Sequence, residues 1–123
     1  MTMPPALPSI DVAEAERRLR EDPDRPVLLD VREPHEFSAV RVEGAFLVPT
    51  SVFMTRVAEI PADRPVMVMC HMGARSAAVA GYLIRAGRND VVNVAGGMDA
   101  WERAELPVRR GALEPCEGTL SVS

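Results

Sequence analysis

Apolar positions in this chain come in short unbroken runs. Val27-Leu28-Leu29 leads into Asp30-Val31, Ala45 to Val48 is closed by Pro49, Val66 to Met69 is uninterrupted, and Val91-Val92 is followed by Asn93-Val94. Runs of this length, without in/out alternation, predict strands buried on both faces. The stretches between them have helical character. Asp11 and Glu14 form a capping-box pattern for a helix over Val12–Arg20, which Pro23 and Pro26 break. Glu33–Phe37 reads as a single turn with Pro34 near its start. Ser51 is placed to cap a helix reaching Glu59, and Pro61 to Pro65 form a connector. The Ala-rich segment Ser76–Ala86 predicts a helix stopped by Gly87, and a helical turn around Met98–Ala104 follows Gly96-Gly97.

Buried strands alternating with helices predict an α/β fold, a parallel sheet flanked by helices on both faces. Ligands bind such sheets at the carboxyl ends of the strands. Cys70 falls at one such end, and the Gly96-Gly97 loop lies at another, where it can wall the same pocket. Residues 1–8 read as a flexible Pro-rich lead-in and 9–108 as the domain. Pro107 is expected to end the folded part, leaving 109–123 as a polar tail.

Composition narrows the function classes. The chain has 123 residues, enough for one domain with a real core. Its net charge of −4 argues against a general nucleic-acid binder, because no basic excess neutralises phosphates. All 14 of its Lys and Arg positions are arginine, which reads as a compositional habit. No apolar run approaches the ~20 residues that span a bilayer, and the N-terminus lacks a signal-peptide pattern. The expected setting is therefore the cytoplasm, with no membrane partner. Two cysteines make no disulfide framework. Cys70, Cys116, His35 and His71 lie at no metal-ligand spacing, so neither a metal nor another cofactor is expected.

The chemistry concentrates in Cys70-His71-Met72-Gly73-Ala74-Arg75-Ser76. One thiol sits where a strand hands over to a helix N-terminus, whose unpaired N–H groups favour an anion such as a thiolate. Bringing a cysteine from its reference pKa of about 8.5 to below 7 takes roughly 2 kcal/mol. A helix N-terminus typically supplies about 0.3–1 kcal/mol, so the loop N–H groups and Arg75 are expected to share the task. Gly73 permits a tight loop with N–H groups turned inward, or is an ordinary turn glycine. A cation at Arg75 opposes the helix dipole, which points to a clamp on an anionic substrate and on the thiolate. Ser76 is read first as a helix cap and second as a donor to the sulfur. His71 is read as a surface-recognition residue ahead of a general base, and His35 as structural. Asp30, Arg32 and Glu36 are expected to form an ion-paired network that fixes the turn near the site. Trp101 and Phe37 read as core. Cys116 is an exposed bystander or a resolving thiol.

These residues carry a resemblance. From about Val27 to Pro107 the sequence resembles the single-domain rhodanese (thiosulfate sulfurtransferase) family. Leu29-Asp30-Val31-Arg32-Glu33-Pro34-His35-Glu36-Phe37 looks like its first signature, and Gly44-Ala45 with Val48-Pro49 fits the second. Cys70 to Ser76 fits the active loop, and Asn93-Val94-Ala95-Gly96-Gly97-Met98-Asp99-Ala100-Trp101 the C-terminal signature. The resemblance implies a five-stranded parallel sheet and a persulfide on Cys70. Its sulfur would come from thiosulfate or another small anionic sulfane donor and pass to cyanide or a thiol. Arg41 stands where the family often has histidine, and no role is carried onto it beyond a change at the pocket edge. The Cys-His loop is similar to rhodanese domains linked to ubiquitin-like-activating enzymes of sulfur-carrier pathways, which implies a protein sulfur acceptor.

Two rival readings stay open at this stage. One is a phosphatase or arsenate reductase using the same cysteine-plus-arginine logic. Related cell-cycle dual-specificity phosphatases place five residues between cysteine and arginine, whereas four intervene here, and the tighter loop suits one sulfur better than a phosphoryl group. The other is a non-catalytic docking module.

Overall fold

The structure is a computed structural model that describes residues 7–120. Its core is a five-stranded sheet in the order β1-β6-β5-β2-β4, every pairing parallel. The strands are β1 (Ser9–Ile10), β2 (Val27–Asp30), β4 (Phe46–Leu47), β5 (Val66–Met69) and β6 (Val91–Val94). All residues of β2 and β5 are buried, in the register Val27 to Val66 through Asp30 to Met69. Successive residues feed opposite layers, as strand geometry requires. Leu29, Val31, Val68 and Cys70 pack with Phe53, Val79 and Leu83 on one face, while Leu28, Met67 and Met69 pack with Val12, Phe37, Met98 and Trp101 on the other. The expected double-sided burial is what is found.

Helix α1 (Val12–Glu21) starts where Asp11 accepts the Glu14 N–H at 2.8 Å. The capping box is one-sided, because the Glu14 carboxylate turns instead to Arg17 and Arg18. The predicted turn after β2 is a longer helix, α2 (Pro34–Ala39). Arg32 explains the extension. Paired with Asp30 inside the protein, it also donates to the Glu36 and Val40 carbonyls, satisfying the end of the helix. Beyond β4, the expected helix from Ser51 to Glu59 is broken into turns of 3-10 helix around α3 (Phe53–Arg56). Ser51 does not cap it, since its hydroxyl donates to Glu33. Helix α4 (Ala74–Arg85) begins two residues earlier than expected, and α5 (Gly97–Arg103) one earlier.

The chain ends complete the sheet and correct one expectation. Ser9–Ile10 is an edge strand of the sheet, held by the Asn93 N–H on Pro8 and the Ala95 N–H on Ile10. The folded part also continues past Pro107. Arg109–Arg110 (β7) pairs antiparallel with Val40–Arg41 (β3), and Gly118 bridges to Phe46 at the sheet edge. Arg41, 2% exposed, draws this segment in by pairing with Glu117 and donating to the Gly111 and Ala112 carbonyls. It is therefore a clasp for the C-terminal segment, a role the sequence did not assign to it. No helix among the described residues is long and apolar enough to cross a membrane.

Candidate active site

Cys70 follows directly on β5, the central strand, and is 1% exposed. The loop after it is shaped from two sides. On its outer side the first N–H groups of α5 take its carbonyls: Met98 donates to Cys70 at 2.8 Å and Asp99 to His71 at 2.9 Å. With those carbonyls turned toward α5, the N–H groups of the loop are free to face the sulfur. Gly73, in the left-handed region at φ 116°, completes the reversal and lets α4 start at Ala74. Its N–H lies 3.0 Å from the Cys70 Sγ.

Ser76 stands in the first turn of α4 with its hydroxyl 3.3 Å from the sulfur and 3.2 Å from the Gly73 carbonyl. It accepts no helix N–H through its side chain among the described bonds, so the sulfur-facing role replaces the capping role. One hydroxyl hydrogen serves one acceptor at a time. Burial pushes the Cys70 thiol up. The Ser76 hydroxyl and the N–H groups of Ser76, Gly73 and Met72 together outweigh burial and hold the thiol below its ordinary range.

Arg75 departs from the expected clamp on the thiolate. Both terminal nitrogens of its guanidinium lie on the Glu36 carboxylate, at 2.6 and 2.9 Å. It is a neighbour of the thiolate, whose charge favours the guanidinium, but it does not clamp it. Glu36 correspondingly leaves the expected trio. Asp30 and Arg32 form a buried pair, joined to Glu36 only through its backbone carbonyl. The Glu36 carboxyl itself is held down at about 2 by Arg75, with help from the Glu33 N–H. His71, Met72 and Ala74 are exposed on the rim, as suits a recognition surface. His35 is exposed on α2, and Cys116 is exposed on the C-terminal segment. Among the described residues no group of three His, Cys, Asp or Glu side chains is placed to hold a metal ion.

Sequence reasoning missed two parts of the site. The Gly96-Gly97 pair was legible as a pocket wall, but not its closeness to the loop: a Cβ on Gly97 would come within 2.8 Å of the His71 carbonyl oxygen and collide with Cys70. The Glu36–Arg75 pair joins α2 to α4 across 39 positions and leaves no local signal.

The comparisons agree with this geometry. The model of the rhodanese-like domain matches residues 11–104. A sulfurtransferase of Allochromatium vinosum is 36% identical over 99 residues, 80% of this chain and 92% of that protein. The thiosulfate sulfurtransferase GlpE of Vibrio cholerae is 35% identical over 81 residues, 66% of this chain and 76% of its own length. Among solved structures, a rhodanese-related protein from Thermoplasma volcanium superposes with a TM-score of 0.76 at 28% identity, covering 83% of this chain and 97% of that one. A thiosulfate sulfurtransferase from Pseudomonas aeruginosa reaches 0.77 at 28% identity, covering 94% of this chain but 22% of that longer one. Matched along most of its length, with the cysteine loop at the end of the central parallel strand, the chain belongs to the rhodanese-like domain family, as do its sulfurtransferase relatives.

Proposed function

We propose that the protein is a sulfurtransferase working through a Cys70 persulfide. The observation that carries this reading is the sulfur at the floor of a cradle of N–H groups from Met72, Gly73 and Ser76. The Cys70 thiolate attacks the outer sulfur of a sulfane donor. A new S–S bond forms to Cys70, the bond to the rest of the donor breaks, and its electron pair leaves with sulfite or a thiolate. The loop N–H groups hold the terminal sulfur of the persulfide as they hold the thiolate. A thiophilic acceptor, such as cyanide, a small thiol or a protein thiol of a sulfur carrier, then removes that sulfur and regenerates Cys70.

No general base is required, because a thiolate held below the ordinary thiol range is already the nucleophile. The phosphatase alternative finds less support. Four residues separate Cys70 from Arg75, and both terminal nitrogens of Arg75 are engaged by Glu36. Thiolate chemistry of this kind suits a reducing compartment such as the cytoplasm.

Intact-mass spectrometry of the reduced protein after incubation with thiosulfate, or with glutathione persulfide, is the direct test. The expected result is a gain of one sulfur atom that is absent in Cys70→Ser and removed by cyanide as thiocyanate. If neither donor adds sulfur to a folded, reduced protein, the sulfurtransferase reading falls and the docking-module reading takes its place.

A further inference from the structure

A thiosulfate-like donor brings two negative charges to the thiolate, and among the described residues the two arginines of the site's signature segments, Arg75 and Arg32, are both already paired. Arg75 is bound in a two-pronged pair to Glu36, at 2.6 and 2.9 Å. Arg32, which follows the neighbouring strand β2, is buried against Asp30, with its other donors on backbone carbonyls. A third carboxylate, Glu33, is held by the Ser51 and Thr50 hydroxyls, which leave its charge in place. Beside Arg75 runs a shallow groove of about 280 Å³ with mainly apolar walls, including Phe53, Met54, Val79 and Tyr82. Met54 on this groove and Met72 on the loop are 63% and 69% exposed. The ground beside Arg75 is thus mainly apolar, and the carboxylates near it are Glu36, paired with Arg75 itself, and Glu33, held by hydroxyls.

The geometry points to Glu36 as a specificity-determining residue: by occupying both terminal nitrogens of Arg75 it denies a dianionic donor its cation. The site thereby favours sulfane donors with no more than one negative charge over dianionic ones such as thiosulfate. This rests on the persulfide reading of Cys70 and names its substrate class. Glu36 acts through Arg75 and touches neither the sulfur nor the donor. Its carboxyl, held down at about 2 with Arg75 as the main cause, stays charged throughout the pH range of any assay. The transfer balances for either donor. Thiosulfate leaves as sulfite, a thiosulfonate leaves as the sulfinate, and in each case Cys70 gains the outer sulfur while the leaving group keeps the bonding pair.

Thiosulfate and methanethiosulfonate form a matched pair for the test, since both break a bond between a sulfonyl sulfur and a terminal sulfur but differ by one charge. KM and kcat are measured for both, with cyanide as acceptor, in wild type, Glu36→Gln, Arg75→Gln and the double variant. The wild type is expected to show the lower KM for methanethiosulfonate. Glu36→Gln is expected to lower the KM for thiosulfate roughly fivefold, the order of one exposed ion pair, with the methanethiosulfonate KM and both kcat values within about twofold on the same scale. Adding Arg75→Gln should erase that gain. An unchanged or higher thiosulfate KM in Glu36→Gln, an equal change for both donors, or a gain that survives loss of Arg75 overturns the assignment. Should Glu36→Gln fail to fold, Arg75→Gln alone decides. A withheld arginine leaves the thiosulfate KM unchanged on its removal, and a rise of about twofold or more, within the range of such pairs, shows that it serves the donor. Absence of a Cys70 persulfide from either donor in wild type would instead remove the sulfurtransferase reading itself.

Discussion

Ser76 is the residue on which the thiolate depends most individually. Burial acts against the charged sulfur, and the largest single opposing contribution comes from the Ser76 hydroxyl 3.3 Å away. Ser76→Ala leaves the backbone N–H groups in place and removes that donor, so the Cys70 titration moves up. Alkylation of Cys70 by iodoacetamide, followed against pH, should show its midpoint displaced to higher pH in the variant. Persulfide formation at neutral pH should slow roughly tenfold, the size of one hydrogen bond to a charged group. An unchanged midpoint would mean that the hydroxyl rests on the Gly73 carbonyl even when the sulfur is charged. In the sequence Ser76 looked first like a helix cap, since serine near a helix start usually is one. The structure starts α4 two residues earlier, at Ala74, and that shift points the hydroxyl at sulfur.

At the scale of elements, the site is a junction of β5, α4 and α5. Gly97 is the contact point, buried and left-handed at φ 54°, with the Cys70 and His71 carbonyls against the place a Cβ would occupy. Gly97→Ala must push the loop or α5 aside, and its cost is expected at about 1–3 kcal/mol from strain and overpacking together. Urea unfolding measures that cost, and sulfur transfer should fall by more than the stability change explains, because the loop N–H groups lose their aim. These junctions also mark what the sequence could disclose. The apolar runs of β2, β5 and β6 and the double glycine at the start of α5 are local patterns, and they were legible as such. β1 has two residues and no run of its own, so only its hydrogen bonds to Asn93 and Ala95 reveal it. Arg32 braces α2 by donating to the Glu36 carbonyl within it and the Val40 carbonyl just past it, and the Glu36–Arg75 pair depends on two helices meeting. The latter is written in no single window of the chain, since 39 positions separate its partners.

The whole molecule is closed by its C-terminal segment, which the polar composition of 109–123 concealed. Arg41 is buried at the centre of this closure, so the segment is held by charge and carbonyls more than by apolar area. Breaking a buried pair by removing one partner is costly because the remaining charge is uncompensated. Truncation after Val108 should therefore lower the melting temperature by roughly 10 °C or more, since a chain of this size loses several degrees per kcal/mol. The acid limb of the stability curve gives a finer test. Arg41 and the Glu114 N–H hold the Glu117 carboxyl down at about 2, below its ordinary 4.5. A carboxyl depressed on folding contributes stability that is complete above its unfolded value and is lost as pH falls through its folded one. Glu36, also held at about 2 with Arg75 as the main cause, adds to the same limb. Urea midpoints measured from pH 7 to pH 2 should thus decline below about 4.5 in the wild type. Glu117→Gln should begin lower at pH 7 and decline less steeply, the two curves converging toward pH 2. Parallel curves would place the acid sensitivity elsewhere and leave the Arg41 clasp held by its carbonyl bonds alone.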